Sequence, residues 1–253
     1  MKIIFLGSGT SQGVPIIACS CNVCNSLNPK DKRLRSSVLI QLGDKNIVVD
    51  TGPDFRQQML NCKIKHLDAI LFTHAHRDHL AGLDDIRGFN YIMKQAIDVY
   101  CEDIVEAAIK KEFFYAFTEP KYPGVPEMNL HTITSQPFSL FNTQIEPIRV
   151  FHYKLPVLGF KINNFVYITD ANRIEEQEIE KIKGCDVLVL NALRREHHIS
   201  HFTLQEAIDM SKRIGAKQTY FTHISHQLGF HDEVENELPN NIHLAYDGQE
   251  IEL

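Results

Sequence analysis

A chain of 253 residues, 43% hydrophobic and 23% charged, has the composition of an ordinary globular protein long enough to bury one large core. Its formal net charge of −6 argues against a general nucleic-acid binder, although a local metal can still attract a small anion. No stretch approaches the roughly 20 apolar residues of a membrane span, and the short apolar start MKIIFLG turns Gly- and Ser-rich too early for a signal peptide, so a cytoplasmic location is expected.

Read in chain order, KIIFLG predicts a first strand running into a glycine loop. SSVLIQLG and NIVVDTG predict two strands joined by a Gly-Asp-Lys turn, and LDAILF (67–72) a buried strand that delivers THAHRDHLAG at its C-terminal end. DVYC reads as a strand, EDIVEAAIKKEFFYAF as an amphipathic helix and EPKYPGVPEMN as a Pro-rich loop. In the second half TQIEPIRVFH, LGFKI and FVYITD are strands, with a turn at the Asn-Asn pair. RIEEQEIEKIKG predicts a helix ending at Gly184, CDVLVLNAL a buried strand, and HFTLQEAIDMSKRIG a helix whose TLQE forms a capping box. QTYFTH is a further strand ending in a histidine. No repeat or linker marks a boundary, so a single α/β domain over residues 1–253 is expected, a sandwich of two sheets flanked by helices.

The polar residues at strand ends carry the chemistry. His74, His76, Asp78 and His79 fall within six positions directly after an apolar run, and such groups are costly to bury unless paired or bound to metal. Three later strands end in His152, Asp170 and His223. A lone strand-end histidine is more often structural than a ligand, but the four-residue cluster changes that weighting. Seven ligands of this kind suit two metal ions; nitrogen and carboxylate donors without thiolate fit Zn, Mn or Fe, and Mn²⁺ or Zn²⁺ is expected.

Cys19, Cys21 and Cys24 form a second constellation, Cys-x-Cys-x2-Cys. Three thiols this close in a reducing compartment favour structural zinc, which takes four ligands. No nearby cysteine completes the set, because Cys62, Cys101 and Cys185 are isolated in or beside apolar segments. His226 in THISH is the expected fourth ligand, so the zinc would brace the loop that also carries His223.

The HxHxDH loop resembles the signature of the metallo-β-lactamase superfamily. That resemblance implies an αββα sandwich with His74, His76 and His152 on one metal, Asp78, His79 and His223 on the other, and Asp170 bridging them. It also implies that Asp50 in VVDTG supports the ligand loop rather than binding metal. GSGTSQGVP, the cysteine clip, HFTLQEA and THISHQ narrow the resemblance to the PhnP-like phosphoribosyl cyclic phosphate phosphodiesterases. A metal-bridging hydroxide is then expected to hydrolyse a small phosphodiester, such as a cyclic ribose phosphate, with Asp78 orienting the nucleophile. His201 opens HFT, which resembles a phosphate-contacting His-x-Thr element, and is the expected proton donor. His197 and His198 read as solvated; Arg194 and Arg195 could help hold a phosphate, but adjacent arginines are more often solvated and are left out of the expected site. The expected partner is the small phosphodiester, with no nucleic-acid polymer and no membrane, and the resemblance implies a homodimer. The alternatives are a thioester- or lactone-type carboxylic ester hydrolase, or a non-enzymatic PqqB-like metal protein.

Overall fold

A computed structural model describes residues 1–253. Alternation along the first strand, Lys2–Gly7, sets the layering: Ile3 and Phe5 point one way and Ile4 and Leu6 the other, and all four are buried. A strand apolar on both faces must be covered on both. Ile3 and Phe5 pack with Val38, Ile40, Leu158, Phe160 and Tyr167 in a core between two sheets. Ile4 and Leu6 pack outward against Phe55 and Met59 of helix Phe55–Cys62. On the other side, helices Glu176–Ile182 and Leu204–Ile214 cover Val166, Leu188 and Leu190. The result is the expected four-layer α/β sandwich, each fully buried large side chain contributing roughly 1.5–3 kcal/mol of burial.

The first sheet has seven strands, ordered Glu250–Glu252, Lys2–Gly7, Ser37–Leu42, Lys45–Val49, Ala69–Leu71, Ile97–Cys101 and Met128–Thr132. The second runs from Arg173–Ile174 through Thr143–His152, Leu155–Ile162, Phe165–Tyr167, Val187–Asn191 and Gln218–Thr222 to Ile242–Leu244. Each sheet joins an antiparallel part to a parallel part. The parallel strands matter for the site. Their C-terminal ends share one edge of the sandwich, where the crevice of an open α/β sheet lies. Asp50, His74, Asp170 and His223 each lie within three residues beyond such an end, and His152 is the last residue of its strand.

Most predicted elements form, including the capping box: Glu206 N–H donates to Thr203 Oγ1 at 3.2 Å and Thr203 N–H to Glu206 Oε2 at 2.8 Å. The predicted helix over 102–117 stops at Glu112, with a separate short turn at Phe114–Ala116. The end of the predicted Pro-rich loop, Met128 and Asn129, belongs instead to an edge strand paired with Ile97–Cys101. Helices Phe55–Cys62 and Arg87–Met93 have no counterpart in the sequence pattern, for each presents only a few apolar contacts to the core. No helix is long and apolar enough to cross a membrane.

Candidate metal centre

After Ala69–Leu71 the chain leaves the sheet, and the single helical turn Arg77–Leu80 folds Asp78 and His79 back toward His74. The ligand atoms of Asp78, His79, Asp170 and His223 lie within 4.8 Å of one another, as do those of His74, His76 and Asp170. Asp170 belongs to both groups. Its Oδ2 is 3.3 Å from His74 Nε2 and 3.1 Å from His79 Nε2, while Oδ1 is 2.8 Å from His223 Nδ1. His152 stands beside the first group, its ring centre 5.2 Å from that of His76. Its Nδ1–H donates to the carbonyl of Ser200 at 2.8 Å, which leaves Nε2 as the nitrogen free to coordinate.

These atoms are close but not satisfied. His74 Nε2, His79 Nε2 and His223 Nδ1 are buried without a hydrogen-bond partner, although a carboxylate oxygen is near each. Buried polar atoms normally find partners, so three orphans aimed at one shared carboxylate fit a site built for cations. No lysine or arginine pairs with Asp170, which is 1% exposed; histidines are its only charge partners.

Asp50 fixes the ring orientations. Its Oδ2 accepts from His79 Nδ1–H at 2.7 Å and from Thr73 Oγ1–H at 2.8 Å. Thr73 Oγ1 in turn accepts from His74 Nδ1–H at 2.9 Å. One buried carboxylate thereby leaves both Nε2 atoms facing Asp170, the arrangement that commonly stands behind metal-ligating histidines. Asn191 does the same for the carboxylate: it accepts from Ala171 N–H at 2.9 Å and donates to Ala171 O at 3.0 Å, clamping the backbone next to Asp170. Neither Thr73 nor Asn191 carries a motif that would have marked it in the sequence.

The backbone is strained at the same places. Asp50, Asp170 and His223 adopt left-handed conformations, with φ of 64°, 51° and 57°. Such residues cost of order 1–3 kcal/mol each and persist where the surroundings demand them. The electrostatics agree with ligation. Burial pushes His76 down to about 4 and lowers His152, favouring neutral rings with a free lone pair. Burial would also discharge His79, but the carboxylates of Asp170, Asp78 and Asp50 outweigh it and raise its affinity for positive charge. Burial works against charge on Asp170 as well, and is overcome by His223 and His79.

His201 closes the cleft. It is 8% exposed, its ring centre lies 4.8 Å from that of His223 and 4.5 Å from that of His152, and its Nδ1 has no partner. Burial, reinforced by His223, drives its pKa down to about 2. His198 is partly buried and packs 5.0 Å from His201 at the wall of the cleft, whereas His197 is exposed. Arg194, expected to be solvated, donates to Gln227 Oε1 and to the carbonyls of Glu196 and His197.

The cysteine clip assembles around His226. Its Nδ1 lies 3.5 Å from Cys19 Sγ, 3.2 Å from Cys21 Sγ and 3.6 Å from Cys24 Sγ. The S···N edge of a tetrahedral zinc site is about 3.6 Å for ordinary bond lengths, so Cys19 and Cys24 stand close to that spacing from His226 and Cys21 stands nearer. The Cys24 amide N–H and His226 pull Cys21 down to about 6, toward the thiolate. Burial holds Cys24 up at about 11 until a cation is supplied.

Comparison with known proteins places these features. Residues 45–224 match the beta-lactamase superfamily domain. A crystal structure of a diphosphatase from the PhnP family superposes with a TM-score of 0.93 at 38% identity, covering 100% of this chain and 97% of that one. Zn²⁺-bound PqqB from Methylobacterium extorquens shares the fold, with a TM-score of 0.81 at 19% identity over 100% of both chains. The protein from Porphyromonas gingivalis named octanoyltransferase is 43% identical over 99% of this chain, which spans 51% of that protein's length. The family match, the four layers and the edge-on ligand loops agree: the chain belongs to the metallo-β-lactamase superfamily.

Proposed function

We propose that this chain is a dinuclear metal-dependent phosphodiesterase acting on a small phosphodiester, with a cyclic ribose phosphate as a fitting substrate. The observation that carries this reading is the convergence of unpartnered imidazole nitrogens on Asp170 beneath the ring of His201. His74, His76 and His152 would hold one divalent ion, Asp78, His79 and His223 a second, and Asp170 would serve both, with Mn²⁺ or Zn²⁺ suiting the donors. When bound, such a pair supplies a deprotonated water at neutral pH and neutralises charge on a phosphoryl group. The 38% identity to a diphosphatase supports chemistry at phosphorus.

The protein's own groups do the rest. Asp50, through Thr73, keeps His74 and His79 oriented before substrate arrives, so little reorganisation is needed during reaction. Asp78, beside His79, is placed to orient the attacking water. His201 supplies the proton that the departing oxygen needs. Burial and the neighbouring His223 keep its ring neutral in the free cleft, so in this reading the proton it passes to the departing oxygen is the one that the attacking water gives up. The Cys19, Cys21, Cys24 and His226 group would hold a structural zinc that fixes the loop bearing His223.

Hydrolysis of a carboxylic thioester or ester is the second reading, favoured by the octanoyltransferase name of the relative that this chain half spans. A partial likeness to PQQ synthesis protein B of Methylobacterium nodulans, 33% identical over 101 residues, is the sequence support for a non-enzymatic role. The full ligand set with His201 favours an enzyme. Turnover by Mn²⁺-loaded protein is measured in parallel on bis(p-nitrophenyl) phosphate, a ribose cyclic phosphate, p-nitrophenyl acetate and an octanoyl thioester. Phosphodiester cleavage abolished by chelation and faster than ester cleavage is the expected result. Ester or thioester cleavage alone would replace the reading with the second one.

A further inference from the structure

The hairpin turn that follows His152 carries a residue its backbone does not favour. His152 and Leu155 face each other across strands Thr143–His152 and Leu155–Ile162, so Tyr153 and Lys154 alone make the turn. Tyr153 has a φ of 58°. Hairpin turns this short need a positive φ at their first position and take glycine, asparagine or aspartate there, because a bulky side chain is strained. Nothing inside the fold repays a tyrosine. Its ring joins none of the three cores, and the residue is 49% exposed. Its N–H donates to Asn172 Oδ1 at 2.8 Å, a bond that glycine or asparagine would make equally well.

The same asparagine brings a second apolar residue alongside. Asn172 Nδ2–H donates to the carbonyl of Ile199 at 2.9 Å, and Ile199 is 59% exposed. Exposed apolar residues scattered singly are ordinary. These two are not scattered, because one asparagine bonds both backbones at the rim of the metal centre. Tyr153 directly follows His152, whose ring centre lies 4.5 Å from that of His201, and Ile199 lies two residues before His201. The bond from His152 Nδ1–H to the Ser200 carbonyl joins the two loops a second time. Lys154 Nζ, 5.3 Å from the centre of the Tyr153 ring, sets a positive charge beside it, which suits the approach of an anionic diester. Strained residues cluster where a ligand is gripped, and an exposed aromatic held in a strained turn at the mouth of a cleft is of that kind.

We propose that Tyr153, supported by Ile199, is a specificity-determining residue that takes an aromatic group on the part of the substrate that stays on phosphorus. The inference rests on the phosphodiesterase reading for its chemistry and on the turn for its location. In that reading the departing oxygen belongs to His201, which leaves the rim beside His152 for the retained part. A flat ring laid against Tyr153 removes apolar surface of both from water and adds a ring-on-ring contact. In a cyclic diester the whole substrate stays on phosphorus after the ring opens, so an aromatic substituent there meets the same face.

The test uses ethyl p-nitrophenyl phosphate and benzyl p-nitrophenyl phosphate, which share a leaving group and differ only in the retained ester. Metal-loaded wild-type protein is expected to favour the benzyl compound in kcat/KM by about tenfold. Tyr153→Gly should bring that ratio to about one, whereas Tyr153→Phe keeps the ring and should retain it. Glycine also relieves the strained turn, so metal-free Tyr153→Gly is expected to melt a few degrees above wild type while losing selectivity. The same benzyl-to-ethyl ratio in Tyr153→Gly as in wild type would mean that the tyrosine only occupies its turn, and would overturn the proposal. A wild-type ratio near one overturns it as well and leaves the phosphodiesterase reading intact. If neither diester nor bis(p-nitrophenyl) phosphate is cleaved, the phosphodiesterase reading has failed by itself. Calorimetric binding of benzylphosphonate and ethylphosphonate to the Mn²⁺-loaded protein then decides the rim. Tighter binding of the benzyl compound that Tyr153→Gly abolishes supports it, and equal affinities reject it.

Discussion

His223 and His226 stand three residues apart on one turn and face two different ligand groups: His223 Nδ1 lies 2.8 Å from Asp170 Oδ1, and His226 Nδ1 lies 3.2 Å from Cys21 Sγ. His223 is also held in a left-handed backbone conformation, which the chain does not adopt unaided. A zinc bound through His226 would tie that turn to the N-terminal segment. Cys21→Ser is therefore expected to lower bound zinc by about one ion per chain, as a four-ligand site requires. It should also weaken metal retention at the neighbouring His223 site. Elemental analysis of the purified variant checks the first effect and chelator competition the second; unchanged zinc content would rule out the clip as a zinc site.

Asp50 makes a separate prediction. It touches no proposed metal, yet it orients His79 directly and His74 through Thr73. Asparagine tolerates the left-handed conformation that Asp50 adopts, so Asp50→Asn should fold. Loss of an outer-layer carboxylate typically costs about 10–100-fold in metal affinity. Competition against a chelator of known affinity reads this directly. The metal-free variant should unfold near the wild-type temperature, and wild-type affinity in the variant would mean that the histidines are oriented by something else.

Asp50 and the ligands differ in how far the sequence alone reveals them. His74, His76, Asp78 and His79 are read from spacing, because three imidazoles and a carboxylate packed directly after an apolar strand are costly to bury without a cation. His152, Asp170 and His223 gain weight only once that cluster is accepted, since each is one residue at the end of one strand. Thr73, Asn191 and Ser200 are invisible beforehand because they act through an ordinary hydroxyl, amide and carbonyl brought close by the fold. Strands are legible for a related reason: long apolar runs such as VLVL leave little choice, while helix Phe55–Cys62 buries only Phe55, Gln58 and Met59 and has no pattern to read. Arg194 is partly exposed, as an adjacent arginine pair suggests, but nothing in that pair hints that one of them also bonds its own loop.

His201 is tested by varying the leaving group. A nitrophenolate departs without help, whereas an alkoxide needs a proton in the transition state. His201→Ala should reduce turnover of an alkyl phosphodiester by about 10²–10⁴-fold, the usual contribution of a general acid. The loss on bis(p-nitrophenyl) phosphate should be much smaller. Similar losses on both would show that the ring, which packs against His152 and His223, supports the metal ligands instead of donating a proton.

The last prediction concerns acid stability away from the metal centre. His231 is 2% exposed, and its Nδ1 accepts a hydrogen bond from Arg33 Nη2 at 3.0 Å. Arg33 also donates to Ala245 O and to Ser8 Oγ, so the pair joins the N-terminal strand, the C-terminal segment and the helix His231–Glu235. Burial, and then the positive charge of Arg33, push His231 down to about 4. Because the folded pKa lies below the unfolded value of about 6.5, the unfolded chain takes up the proton first. The stabilisation is complete above about pH 6.5 and is lost as pH falls through about 4. Across that window one such group lowers stability by at most about 1.4 kcal/mol per pH unit. His231→Gln retains an acceptor for Arg33 and cannot protonate, so its unfolding free energy should fall less steeply than that of wild type. Denaturant unfolding of both proteins at pH 7, 6, 5 and 4.5, each in chelator to remove any metal contribution, measures the difference. Parallel pH profiles would show that His231 already shares its proton in the folded state, and that Arg33 is held by Ala245 and Ser8 alone.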